Sequence, residues 1–112
     1  MPVPTGFDNK VRVTTDDATA LNAEVATQNA ADYLLFSVAF DGAGTALLLF
    51  GKNAGAAYVP TAPQKVNAVA ATQGAVDADA ATESADGYVP TGIFTNGTTA
   101  YVLYQQLDDS DL

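Results

Sequence analysis

The chain contains no cysteine and no histidine. Without cysteine there is no disulfide scaffold and no thiolate zinc site. Without histidine the commonest metal ligand and the commonest general base are missing. Basic residues are scarce: four Lys and Arg stand against thirteen Asp and Glu, a net charge of −9. That balance repels a phosphate backbone, so nucleic acid is a poor partner. Long apolar runs are also lacking. The longest, Leu34 to Phe40, is interrupted by Ser37 and falls far short of the ~20 residues that span a bilayer. Met1 to Gly6 has neither a basic region nor an apolar core, so no secretory signal is expected. No membrane partner is expected either, and the missing cysteine fits a reducing cytosol.

What is present supports a folded chain. The 112 residues are 48% hydrophobic, which excludes a disordered acidic tail. The length suits one domain or two small repeated units.

The sequence repeats itself. Lys10-Val11 matches Lys65-Val66 (65 − 10 = 55), and Tyr33 matches Tyr88 at the same offset (88 − 33 = 55). Ala20, Ala23, Ala26, Thr27 and Ala30 fall on Ala75, Ala78, Ala81, Thr82 and Ala85, and Gly42 falls on Gly97. One residue then drops out, and Thr45-Ala46 and Leu49 match Thr99-Ala100 and Leu103. Conservative pairs fill the gaps, among them Asn22/Asp77, Glu24/Asp79, Gln28/Glu83 and Phe50/Tyr104.

Each copy reads as strand, helix, strand, strand. Lys10 to Thr14 alternates, with Val11 and Val13 on one face. Asp17 to about Ala31 lacks Gly and Pro and is rich in Ala, with Leu21 and Val25 on one helical face. Thr15, Asp16 or Asp17 can cap that helix. Tyr33 to Phe40 and Thr45 to Gly51 form a hairpin with a three-residue loop, where Gly44 supplies the left-handed position. In the second copy Tyr88 to Thr95 and Thr98 to Gln105 flank Asn96-Gly97, a strong hairpin signal. Pro90 places its strand at a sheet edge. The expected architecture is α+β: a tandem duplication of a βαββ unit with pseudo-two-fold symmetry, antiparallel hairpins and one helix per repeat. The divisions are an N-terminal arm (1–9), a first repeat (10–52), a linker and lead-in (53–64), a second repeat (65–106) and an acidic tail (107–112).

Strict alternation puts Leu34, Phe36, Val38 and Phe40 with Ala46, Leu48 and Phe50 on one hairpin face, and Leu35, Ala39, Leu47 and Leu49 on the other. Both faces are apolar, so both are expected to be buried, one by the helix of its own repeat and one by the second repeat or another chain.

No chemical constellation emerges. Asp77, Asp79 and Asp41 lack the spacing of a calcium loop and read as solvated carboxylates. Asn96-Gly97-Thr98 matches a glycosylation acceptor but is better explained as a turn. Ser37, Ser84 and Ser110 have no base, and the two glutamates, Glu24 and Glu83, lie in no evident cleft. An enzyme, a metal or a cofactor is not expected. Tyr33 and Tyr88 hold equivalent positions, which favours packing over ligand stacking.

The Pro-containing arm Met1 to Asn9, the body rich in Ala, Thr, Gly and Val, the missing Cys and His, and the duplication together resemble small virion proteins of tailed bacteriophages, in particular head-decoration or cement proteins. The resemblance is compositional and covers the whole chain. It implies a protein that oligomerises and binds capsid or other virion proteins through arms and sheet edges, located in the virion and otherwise in the cytoplasm. The assembly contacts expected on this reading are Pro2, Val3, Pro4, Thr5, Phe7, Leu34, Phe36, Leu48 and Phe50. A ligand-binding or regulatory module, with its site between the repeats, is the alternative.

Overall fold

The computed structural model describes residues 7–31, 33–53 and 64–106. Eight elements follow in order: β1 (Phe7–Thr15), α1 (Ala18–Ala30), β2 (Leu34–Phe40), β3 (Thr45–Asn53), β4 (Gln64–Ala70), α2 (Gln73–Ala85), β5 (Tyr88–Thr95) and β6 (Thr99–Gln106). They form two βαββ units and two antiparallel three-stranded sheets, β1-β3-β2 and β4-β6-β5. The fold is α+β, and the repeat is real in the backbone. Both helix ends shift by the same 55 positions, 18 to 73 and 30 to 85. The N-caps shift alike: Asp17 accepts from Ala20 N at 2.8 Å, and Thr72 from Ala75 N at 3.2 Å, each satisfying one orphan helix donor.

The same holds for irregularities. Between Leu35 and Ser37 the β2–β3 register slips at Phe36, and between Pro90 and Gly92 the β5–β6 register slips at Thr91. A bulge inserts one residue and so reverses the facing of everything before it. Leu35, Val38 and Phe40 therefore share a face with Phe50, Leu48 and Ala46. Leu34 and Phe36 do not join them, contrary to strict alternation. Phe36 is half-exposed.

Two expectations about boundaries shift. β1 begins at Phe7, pairing Phe7, Asp8 and Asn9 with Asn53, Lys52 and Gly51, so the last three residues of the expected arm belong to the first unit. Pro2, Val3, Pro4 and Thr5 lie outside the described residues, as does the tail from residue 107. The second hairpin turns about Gly97-Thr98, not Asn96-Gly97: Asn96 N donates to Thr99 O, and Asn96 Oδ1 accepts from Thr98 N and Thr99 N. Gly97 carries the positive φ of 106° that the first central position of such a loop needs. The move changes the pairing by two residues, so the faces of β6 are unaffected. Pro90 lies on the edge strand β5, as expected.

The core lies between the units. Leu21 and Val25 of α1, Leu35, Val38, Ala46, Leu48 and Phe50 of the first sheet, and Val66, Tyr101 and Leu103 of the second sheet form one buried cluster. The first sheet thus turns its α1 side toward the second unit. The second sheet offers it the face that does not carry α2. The pseudo-symmetry resides in the fold of each unit, and the junction between them is head-to-tail.

Candidate functional site

Three features compete as a site: a polar cluster under α2, the junction between the units, and the bare face of the first sheet.

The polar cluster faces α2. Asn67 Nδ2 donates to Asp79 Oδ2 at 3.1 Å and to Glu83 Oε2 at 2.6 Å. The Tyr104 hydroxyl donates to Asp79 Oδ2 at 2.6 Å. Lys65 Nζ pairs with Glu83 at 2.5 Å and stands 4.4 Å from the Tyr88 ring centroid. Asp79 and Glu83 sit at i, i+4, on one side of the helix. The hydrogen bond to Glu83 chiefly raises the Lys65 pKa. Burial, then the bond to Asp79, raises that of Tyr104. The lysine is held charged and the phenol neutral. Among the described residues no buried side-chain polar atom lacks a partner, and the cluster ties α2 to its sheet. The first unit has a version of the same network. Arg12 lies 3.7 Å from Glu24, Gln28 Nε2 donates to Glu24 Oε1, and Lys10 Nζ sits 4.0 Å from the Tyr33 centroid. The Lys and Tyr repeat anchors are thus cation–π partners, a contact of about 0.5–1 kcal/mol where exposed.

The junction is also satisfied. Asn22 of α1 donates to Val66 O at 2.6 Å and accepts from Val66 N at 2.7 Å. Gln64 accepts from Leu35 N and donates to Leu35 O. Side-chain amides thereby close the open edges of β4 and β2. A small cleft of about 140 Å³ remains, lined by Leu35, Gln64, Thr91 and Leu103 among others. A larger one, about 380 Å³, lies elsewhere, between α2 and the second sheet, with Ala71, Val76, Ile93 and Ala100 in its wall.

The bare face is the outer side of the first sheet. Its register pairs Val11 with Leu49 and Val13 with Leu47. Val11 is 53% exposed, Val13 62%, Leu47 43% and Leu49 41%. Of the two covers expected for this face of the first hairpin, the second repeat does not supply one among the described residues. The second unit covers the side that already carries α1 and leaves this one open among the described residues. Of the contact residues named from sequence, Leu48 and Phe50 are fully buried in the core, Leu34 is half-buried opposite Gly51, and Phe7 starts β1. The open residues were legible as an apolar face. Which face the second repeat covers was not.

Among the described residues no three Asp or Glu come together as a metal site, and no helix is long and apolar enough to cross a membrane. Comparison with protein-family models, with curated proteins and with solved structures returned no match.

Proposed function

We propose that this chain is a non-catalytic structural protein that docks on a larger assembly, with phage capsid decoration or cement proteins as the class its composition resembles. The observation that carries the reading is the outer face of the first sheet. Val11, Val13, Leu47 and Leu49 form a contiguous apolar surface on a chain of net charge −9. Contiguous apolar patches of this kind mark contact sites on otherwise polar proteins. The tied-off carboxylates under α2 add support, since they leave no acid or base poised for chemistry.

The test is sedimentation of lysate from cells that make the protein. The chain should travel with large particles, and Leu49→Asp, folded by circular dichroism, should stay in the light fractions. A chain that remains free and instead binds a small molecule tightly, raising its melting temperature, would establish the module reading in its place.

A further inference from the structure

What the second unit presents to the first is the helix-free face of its sheet: Val66, Tyr101 and Leu103. Tyr101 enters the corner where α1 starts. Its ring packs on Phe40, centroids 4.8 Å apart, and its hydroxyl donates to Asp16 O. Asn22 grips the Val66 edge.

Both halves of this contact exist once more, uncovered among the described residues. In the repeat register the counterparts of Val66, Tyr101 and Leu103 are Val11, Leu47 and Leu49, the open face of the first sheet. In the corner that receives Tyr101, Asp16 and Phe40 touch it, Leu21, Val38 and Ala46 share its buried cluster, and Asn22 holds the neighbouring Val66 edge. Their counterparts are Ala71, Val76, Asp77, Ile93, Thr95 and Ala100, and all six line the 380 Å³ cleft. Ile93 there is 57% exposed, whereas its counterpart Val38 is 7% exposed beneath the second unit. The cleft is thus the unfilled equivalent of the Tyr101 socket.

We propose that a second copy of this chain fills it. The open face of one copy docks on the α2 side of the next, with Leu47 entering the cleft and the β1 edge lying along α2. This rests on the structural reading above and names the partner of the open face. Charge agrees with the register. Asp77 takes the place of Asn22, and Val11 takes that of Val66. Asn22 both accepts and donates, but a carboxylate only accepts. On β1 the donor role is already filled, because Arg12 Nη1 donates to Val11 O at 3.0 Å. Asp77 would therefore meet the Val11 N–H and the Arg12 guanidinium, a charge-assisted arrangement. Such a contact is heterologous, using two different surfaces of each copy, and builds a ring where its rotation closes and an open chain where it does not.

Two single-site variants decide this. Leu47→Asp spoils the open face and keeps the cleft. Ile93→Asp spoils the cleft and keeps the face. Both sites are exposed, so both variants should match the native circular dichroism and melting. Analytical ultracentrifugation in about 0.5 M NaCl, where the Debye length is roughly 4 Å, limits repulsion between acidic copies. The native chain should form species larger than a dimer, and each variant alone should be monomeric. Mixed, the two variants should give a one-to-one dimer and nothing larger, since each supplies the surface the other lacks. A monomeric native chain would overturn the proposal. So would an association that Leu47→Asp abolishes and Ile93→Asp leaves intact, the mark of a symmetric face-to-face dimer. If the native chain is monomeric yet travels with particles in lysate, only the identity of the partner is wrong; if it does neither, the structural reading falls as well.

Discussion

The Tyr101 hydroxyl donates to the Asp16 carbonyl oxygen at 2.5 Å, joining β6 of the second unit to the turn that precedes α1 in the first. Burial raises the Tyr101 pKa, and the neighbouring Asp16 and Asp17 charges add to the effect. Tyr101→Phe should cost about 1 kcal/mol, the net worth of one hydrogen bond. Tyr101→Ala should cost about 3–5 kcal/mol, because it also empties the socket beside Phe40. Urea unfolding measures both, and native-like stability in the alanine variant would mean that the units are not joined here.

Adjacent leucines on β3 should behave oppositely. Leu48 is fully buried and Leu49 is 41% exposed. Leu48→Ala should lose about 2–5 kcal/mol, and Leu49→Ala no more than about 0.5 kcal/mol in the monomer. Reversed sensitivities would place the bare face on the other side of the sheet.

Much of this fold could be read in advance because the repeat supplies two independent readings of each element. The helix of the second unit has few large apolar residues, and its alignment with the helix that carries Leu21 and Val25 is what announces it. Hairpin parity was legible from loop length. The bulges at Phe36 and Thr91 were not, since a bulge depends on twist and packing across the sheet and leaves no turn residue to announce it. They moved Leu34 and Phe36 off the core face. The head-to-tail junction was equally hidden. Leu47 and Leu49 are as apolar as Leu48 and Phe50, and local sequence does not say which side a distant unit will cover.

Alkaline stability should depend on the network under α2. In the folded chain Lys65 and Tyr104 both hold their protons above their ordinary values of 10.5 and 10.0. The folded state then binds more protons than the unfolded chain once pH passes about 10. The stability these groups lend is complete below that point and is lost as pH rises through their folded values. Tyr104→Phe, which copies Phe50 of the first unit, removes one such titration and should flatten the loss above pH 10. An unchanged alkaline slope in this variant would show that Tyr104 does not hold its proton in the fold.

Asn22 offers a test of how the open edge of β4 is closed. Its amide satisfies both Val66 N and Val66 O, and no aliphatic side chain can do either. Asn22→Leu should therefore cost about 2–3 kcal/mol, since two partly buried backbone groups lose partners. Asn22→Asp should act differently with pH. The carboxylate still accepts from Val66 N but faces Val66 O without a donor, whereas the protonated acid can serve both. Its folded pKa should thus rise above the unfolded value of roughly 3.9. The restored contact is complete below that value and is lost as pH rises through the folded one. Measured against the native chain by chemical denaturation, the Asn22→Asp penalty should be larger at pH 7 than near pH 4. A penalty independent of pH would mean that Val66 O finds its donor elsewhere. The same chemistry bears on Asp77, which holds this position in the second unit. A carboxylate there suits a strand edge only where a cation stands beside the carbonyl, as Arg12 does on β1.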